Sequence, residues 1–69
     1  MPEIHFSNNL KRYRVRLGLS KEQLAKRLGV SGVTIGYWES GKHDPRLSKL
    51  KHIADVLGVT VYDLLFDEP

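Results

Sequence analysis

The chain has 69 residues, 41% of them hydrophobic, which suffices for one small domain with one core, near the lower limit for folding without staples. It contains no cysteine, which excludes disulfides and thiolate metal sites, and no run approaching the ~20 apolar residues of a membrane span. Met1 to Ser7 lacks the basic and apolar regions of a signal peptide, so the expectation is a soluble, cytoplasmic, single domain over residues 1–69 with an ordered core of about 7–66.

The formal charge of +3 is mild, but it is segregated. All eleven Lys and Arg lie at or before Lys51 against four acids, a local charge of +7, and only the four acids Asp55, Asp63, Asp67 and Glu68 follow, a local charge of −4. A cationic front with an acidic rear suits a polyanion on one side, although a solvated surface without a partner gives the same count.

Pro2 to Phe6 reads as a leader with no period. Ser7 can cap a first helix whose apolar stripe is Leu10, Tyr13 and Leu17, with Arg14 on the same stripe and a stop at Gly18 before the core residue Leu19. Ser20 with Gln23 forms a capping box for a second helix carrying Leu24, Ala25 and Leu28, and Gly29 ends it. Ser31 caps a third helix with Ile35 and Trp38 inward, and Gly41 stops it. Asp44 as cap and Pro45 at the first helical position begin a fourth helix, in which Leu47, Leu50, Ile53, Ala54 and Leu57 share a face up to Gly58. Thr60 caps a fifth, with Asp63 as its capping-box acid and Tyr62, Leu64, Leu65 and Phe66 following. Asp67-Glu68-Pro69 reads as a frayed tail. The expected fold class is all-α: five short helices, no strands and no repeats.

The order Leu24-Ala25, Leu28-Gly29-Val30, Ser31, Ile35, Trp38-Glu39, Gly41 resembles the helix-turn-helix of the phage repressor and Cro family, also called XRE, and the likeness extends from about Leu10 to Leu65. Each element has a mechanical reason. Two helices crossing steeply over a short turn approach near Ala25, where a large side chain would push them apart, and Gly29 makes the turn. Val30, Ile35 and Trp38 plug the second helix of the unit onto the core and leave its other face free for a DNA major groove.

The resemblance implies a double-stranded DNA partner and a set of contact positions. Bases would be read from Gly32, Val33, Gly36 and Tyr37, a departure from the family's usual amides and arginines. Val33 could meet a thymine methyl, Tyr37 could donate its hydroxyl, and the glycines could let the backbone approach the groove floor. Ser20 and Lys21 start the second helix, where free amides favour phosphate. Ser31, Thr34, Ser40, Lys42, His43 and Arg46 flank the groove by the same likeness. The family pairs a first-helix arginine with the glutamate that ends the recognition helix. Here those residues are Arg14 and Glu39, with an edge of the Arg14 guanidinium left for a phosphate.

One such unit covers half a site, so a two-fold homodimer with recognition helices ~34 Å apart on a near-palindromic operator is expected, acting as a repressor. Val61, Tyr62, Leu65 and Phe66 offer more apolar surface than one small core needs and are the expected dimer face. His5, His43 and His52 share no ligand spacing, no nucleophile elbow frames a serine, and the glycines lack the phosphate-loop pattern, so no cofactor, metal, small-molecule ligand or enzymatic activity is expected. The alternative is an antitoxin or adaptor that works by gripping a protein partner, against which stands the short stretch beyond Leu65.

Overall fold

Five helices follow one another in the computed structural model, which describes residues 4–68: α1 (Phe6–Arg16), α2 (Lys21–Leu28), α3 (Gly32–Ser40), α4 (Leu47–Leu57) and α5 (Val61–Phe66). No strand occurs among the described residues. Leu10, Leu24, Leu28, Ile35, Ile53 and Leu64 are fully buried at the centre, completed by Phe6, Tyr13, Ala25, Trp38, Ala54 and Leu57. Each helix supplies at least one of them, so none of the five is stable as packed without the others. α1 packs on α3 and α5, α2 on α3 and α4, and α4 on α5.

Local chemistry sets most of the boundaries. Ser20 Oγ accepts from the Gln23 amide at 3.0 Å while Gln23 Oε1 accepts from the Ser20 amide at 2.8 Å. Thr60 and Asp63 form the same reciprocal pair at the start of α5, at 2.9 and 3.4 Å. Gly29 and Gly41 close α2 and α3 with φ of +71° and +79°, a conformation that strains any residue with a Cβ.

Four expectations are corrected. α1 starts at Phe6, not after a Ser7 cap, and His5 before it makes no side-chain cap. The cause is tertiary: the His5 amide donates to the Leu65 carbonyl at 2.7 Å and Phe6 is buried, which docks the leader on α5 and draws the helix one residue earlier. Leu17 is 48% exposed, because the chain leaves the helix there and Leu19, returning through a bond from its amide to the Arg14 carbonyl at 3.1 Å, packs on the core instead. α4 begins at Leu47, with Arg46 in extended conformation and no side-chain cap, so Asp44 and Pro45 belong to the loop. Pro45 is half-buried and lines a shallow groove with Phe6, Leu50 and Leu65, and Leu47 is 82% exposed in the first turn. Met1 to Glu3, in the expected leader, and Pro69, in the expected tail, lie outside the described residues.

The fourth correction concerns the tail. Asp67 is not frayed: its carboxylate accepts from the Tyr13 hydroxyl at 2.5 Å and from Arg12 Nη2 at 3.1 Å. Its carbonyl accepts from Asn9 Nδ2 at 2.7 Å. Asn9 is fully buried, and its amide also reaches the Leu64 carbonyl at 3.1 Å and the Asp63 carbonyl at 3.3 Å. One α1 side chain thereby serves carbonyls of the last turn of α5 and of the residue that follows it, of which the Asp63 carbonyl also accepts from the Asp67 amide. The Tyr13 hydroxyl, and after it Arg12, holds the Asp67 carboxyl below its ordinary range, while burial and then the Asp67 bond raise Tyr13.

Replacing Asn9 by Ala should cost about 1–3 kcal/mol in urea unfolding, since it strands buried carbonyls. Because the Asp67 carboxyl is lowered in the folded state, its contribution is complete above about pH 4 and fades as the pH drops through the depressed folded value. Asp67→Asn should therefore flatten the fall of stability with acidification below that pH, read from unfolding midpoints across a pH series.

Candidate nucleic-acid interface

α2 and α3 cross over a turn made by Gly29, Val30 and Ser31, with the Val30 amide donating back to the Ala25 carbonyl at 3.0 Å. Ala25 is 2% exposed at the crossing, and Ile35 and Trp38 anchor α3 in the core. The opposite face of α3 carries Gly32, Val33, Gly36 and Tyr37, positions that helical periodicity places side by side. Val33 is 62% exposed and Tyr37 37% exposed, while Gly32 and Gly36 are half-exposed. The four residues expected to read bases thus share one outward surface.

Arg14 ties α1 to the end of α3. Its Nε donates to Glu39 Oε2 at 2.7 Å and its Nη2 to Glu39 Oε1 at 3.1 Å, a two-pronged pair whose side chains are 10% and 5% exposed. Nη1 donates to the Leu19 carbonyl at 2.8 Å. The Glu39 bond raises the Arg14 pKa against the desolvation that opposes it, so the charge persists inside the fold. Three of the five guanidinium N–H groups are engaged this way, which leaves two for anything outside.

The polar rim divides into residues turned inward and residues left open. Ser31 Oγ accepts from the Thr34 amide at 3.1 Å and lies 2.9 Å from the Thr34 hydroxyl, so the two hydroxyls are joined at the start of α3. Ser40 Oγ donates to the Tyr37 carbonyl at 3.1 Å and closes the other end. Ser20 accepts within its capping box and retains a hydroxyl donor. Lys21, Lys42, His43 and Arg46 are exposed. Lys42 Nζ stands 4.8 Å from the centroid of the Tyr37 ring, and the His43 ring meets it edge-on, centroids 5.0 Å apart at 78°. Tyr37, Lys42 and His43 form a cluster at the C-terminal end of the outward face. Lys49 is drawn away, its Nζ donating to the Leu28 carbonyl at 3.4 Å.

Two features of this surface were not read from the sequence. Glu22 of α2 brings its carboxylate against Gly32, so a Cβ there would push the acid aside. The Tyr37 cluster is the other; it depends on the α3–α4 loop folding back, with the Lys42 amide donating to the Tyr37 carbonyl at 2.9 Å. Among the described residues no three His, Asp or Glu assemble as a metal-binding group, and no helix is long and apolar enough to cross a membrane.

Residues 10–64 match the helix-turn-helix family, and the chain belongs to it, in the XRE group of DNA-binding regulators. An HTH-type transcriptional regulator of Methanocaldococcus jannaschii is 46% identical over 61 residues, covering 88% of this chain and 92% of that protein. The HTH-type transcriptional activator BcrR of Enterococcus faecalis is 40% identical over 65 residues, which are 94% of this chain and 32% of that protein, so the chain spans about a third of its length. Among solved structures, the P22 c2 repressor in complex with a synthetic operator superposes with a TM-score of 0.82 at 27% identity, covering 87% of this chain and 91% of that one. Hydroxypropylphosphonic acid epoxidase from S. wedmorenis, at a TM-score of 0.84 and 31% identity, is matched over 93% of this chain but only 34% of the enzyme. The sequence relatives are regulators, and the likeness to that enzyme concerns a part of it.

Arg14→Met should destabilise the domain by about 3–5 kcal/mol, because it strands a buried glutamate. Urea unfolding of the variant, and of Arg14→Met with Glu39→Leu, checks this: the double variant should recover much of the loss.

Proposed function

We propose that the chain binds duplex DNA in the cytoplasm as a two-fold homodimer on a near-palindromic operator and acts as a repressor, without cofactor or small-molecule ligand. The observation that carries this reading is the division of α3, with Ile35 and Trp38 buried and Val33 and Tyr37 exposed on the other side. In this reading Gly32, Val33, Gly36 and Tyr37 face the base pairs, Val33 against a thymine methyl and Tyr37 through its hydroxyl. Lys21, Lys42 and Arg46 neutralise phosphates, with the His43 ring and the hydroxyls of Ser20, Ser31 and Thr34 contacting the backbone beside them. Arg14 and Ser40 act mainly by positioning, since their donors serve Glu39, Leu19 and the Tyr37 carbonyl. The dimer forms through Val61, Tyr62, Leu65 and Phe66. Support comes from Tyr62, 66% exposed with its ring centroid 5.0 Å from that of Phe66, and from the exposed Leu47. Occupying an operator suffices for repression, which asks for no surface beyond these two.

Selection from a random duplex library should enrich an inverted repeat whose half-site centres lie ~34 Å apart. Affinity should fall steeply with salt, with a slope of about −0.9 per phosphate neutralised, and Lys21→Ala or Lys42→Ala should each lower that slope by about one. Tyr62→Lys should shift sedimentation towards the monomer and weaken operator binding. Selection that enriches no sequence would sink the reading.

A further inference from the structure

We propose that Glu22 is a specificity-determining residue: its carboxylate, set against the start of α3, repels duplex gripped by its backbone alone and is tolerated by duplex whose base edges are seated on that helix. The inference rests on the DNA-binding reading above. It begins from a cost, since an acid placed where a polyanion docks lowers the affinity for every phosphate nearby.

Glu22 stands in the first turn of α2 and is exposed. Its carboxylate carbon lies 2.6 Å from the point that a Cβ on Gly32 would occupy, which puts the charge against the first residue of α3. The other acids of the described residues are engaged or lie elsewhere. Glu39 is paired with Arg14 and Asp67 with Arg12, Asp63 accepts from the Thr60 amide, and Asp44 borders the recess at the start of α1. Asp55 belongs to α4, and Glu68 follows α5. Glu22 enters neither ion pair found among the described residues. Its side chain is free to turn, but its backbone is held, because Ser20 and Gln23 bracket it with reciprocal bonds at 2.8 and 3.0 Å. A charge tethered there is felt over about 8 Å at physiological salt, so its field covers the start of α3 in whichever rotamer it adopts.

What such a charge selects follows from the donors a duplex offers. An ionised carboxylate only accepts hydrogen bonds. The DNA backbone presents anionic acceptors, whereas cytosine N4 and adenine N6 present donors on the major-groove edge. Glu22 therefore gains nothing from an encounter with the backbone alone, and its repulsion is offset when α3 is seated and a base amino group faces it. Lys21, the preceding residue, supplies the backbone attraction that Glu22 limits. An acid in the first turn also suits the dipole of α2, and that use alone predicts a change in stability and none in discrimination.

The test compares wild type, Glu22→Gln, Glu22→Ala and the charge-matched control Asp55→Asn, each checked as folded by circular dichroism. Each is titrated with a duplex selected from a random library by the wild type and with a random-sequence duplex. Both Glu22 variants should bind the random duplex about fivefold more tightly, the scale of removing one unit-charge repulsion at contact distance in water. They should bind the selected duplex within about twofold of wild type, so that the ratio of selected to random affinity falls. Asp55→Asn should match wild type on both duplexes. Unchanged affinity of the Glu22 variants for the random duplex, an equal gain on both duplexes, or the same gain in Asp55→Asn would overturn the proposal. Loss of the fold in both Glu22 variants would make the acid a structural residue and overturn it as well. Failure of the wild type to select any duplex would instead overturn the DNA-binding reading beneath it.

Discussion

The geometry of the outward face depends on how α3 is fastened. A nine-residue helix is marginal in water by itself, and this one carries a glycine at its centre. It is held by Ile35 and Trp38 in the core and, at its far end, by the paired Arg14 and Glu39. The apolar anchors fix its depth. The ion pair fixes its direction, because a planar fork gripping both carboxylate oxygens admits one orientation of Glu39 relative to α1. A buried pair of this kind is weak evidence for stability as such, and its value here lies in specifying which arrangement of α1 and α3 is adopted.

Much of this was legible because its causes are local. The Ser20–Gln23 and Thr60–Asp63 boxes, the left-handed glycines, and the spacing of Leu24, Leu28, Ile35 and Trp38 act within a turn or two of chain, and all appear as read. Arg14 and Glu39 are 25 residues apart, and their pairing came from family likeness, since no local rule joins them. What escaped reading was long-range. Asn9 reaches residues 54 to 58 positions away, and nothing in the sequence near Ser7 or Asp67 announces it. The Asp44-Pro45 start signal was sound as local chemistry, yet the helix begins two residues later, after an extended Arg46, with Pro45 lining a groove beside Phe6, Leu50 and Leu65.

The charge segregation also acquires a structural meaning. Acidic Asp67 is taken up by Arg12 and Tyr13, so part of the acidic rear is consumed in closing α5 onto α1 and is not a free acidic surface. Glu22, by contrast, brings a carboxylate to the beginning of α3, where the helix dipole favours it and a phosphate would compete with it. Of the exposed basic residues, Lys21 stands at the start of α2 and Lys42 and Arg46 in the loop after α3, on either side of the outward face in sequence, while Lys11, Arg16, Lys26, Arg27 and Lys51 are exposed elsewhere on α1, α2 and α4.

The bond from the His5 amide to the Leu65 carbonyl brings the first and last described turns of the chain side by side, and Asn9 and Tyr13 hold Asp67 to the same helix that follows His5. In outline the backbone is a closed ring. Domains with this arrangement accept circular permutation, in which residues 4 and 68 are bridged by a short linker and the chain is reopened at an exposed loop. The stretch from Lys42 to Asp44 is exposed and outside any helix, and reopening there would free the end of α3 from the loop that steadies Tyr37 while leaving the Arg14–Glu39 clasp in place. Permutation at that site would therefore separate the architecture of the domain from the rigidity of its reading surface.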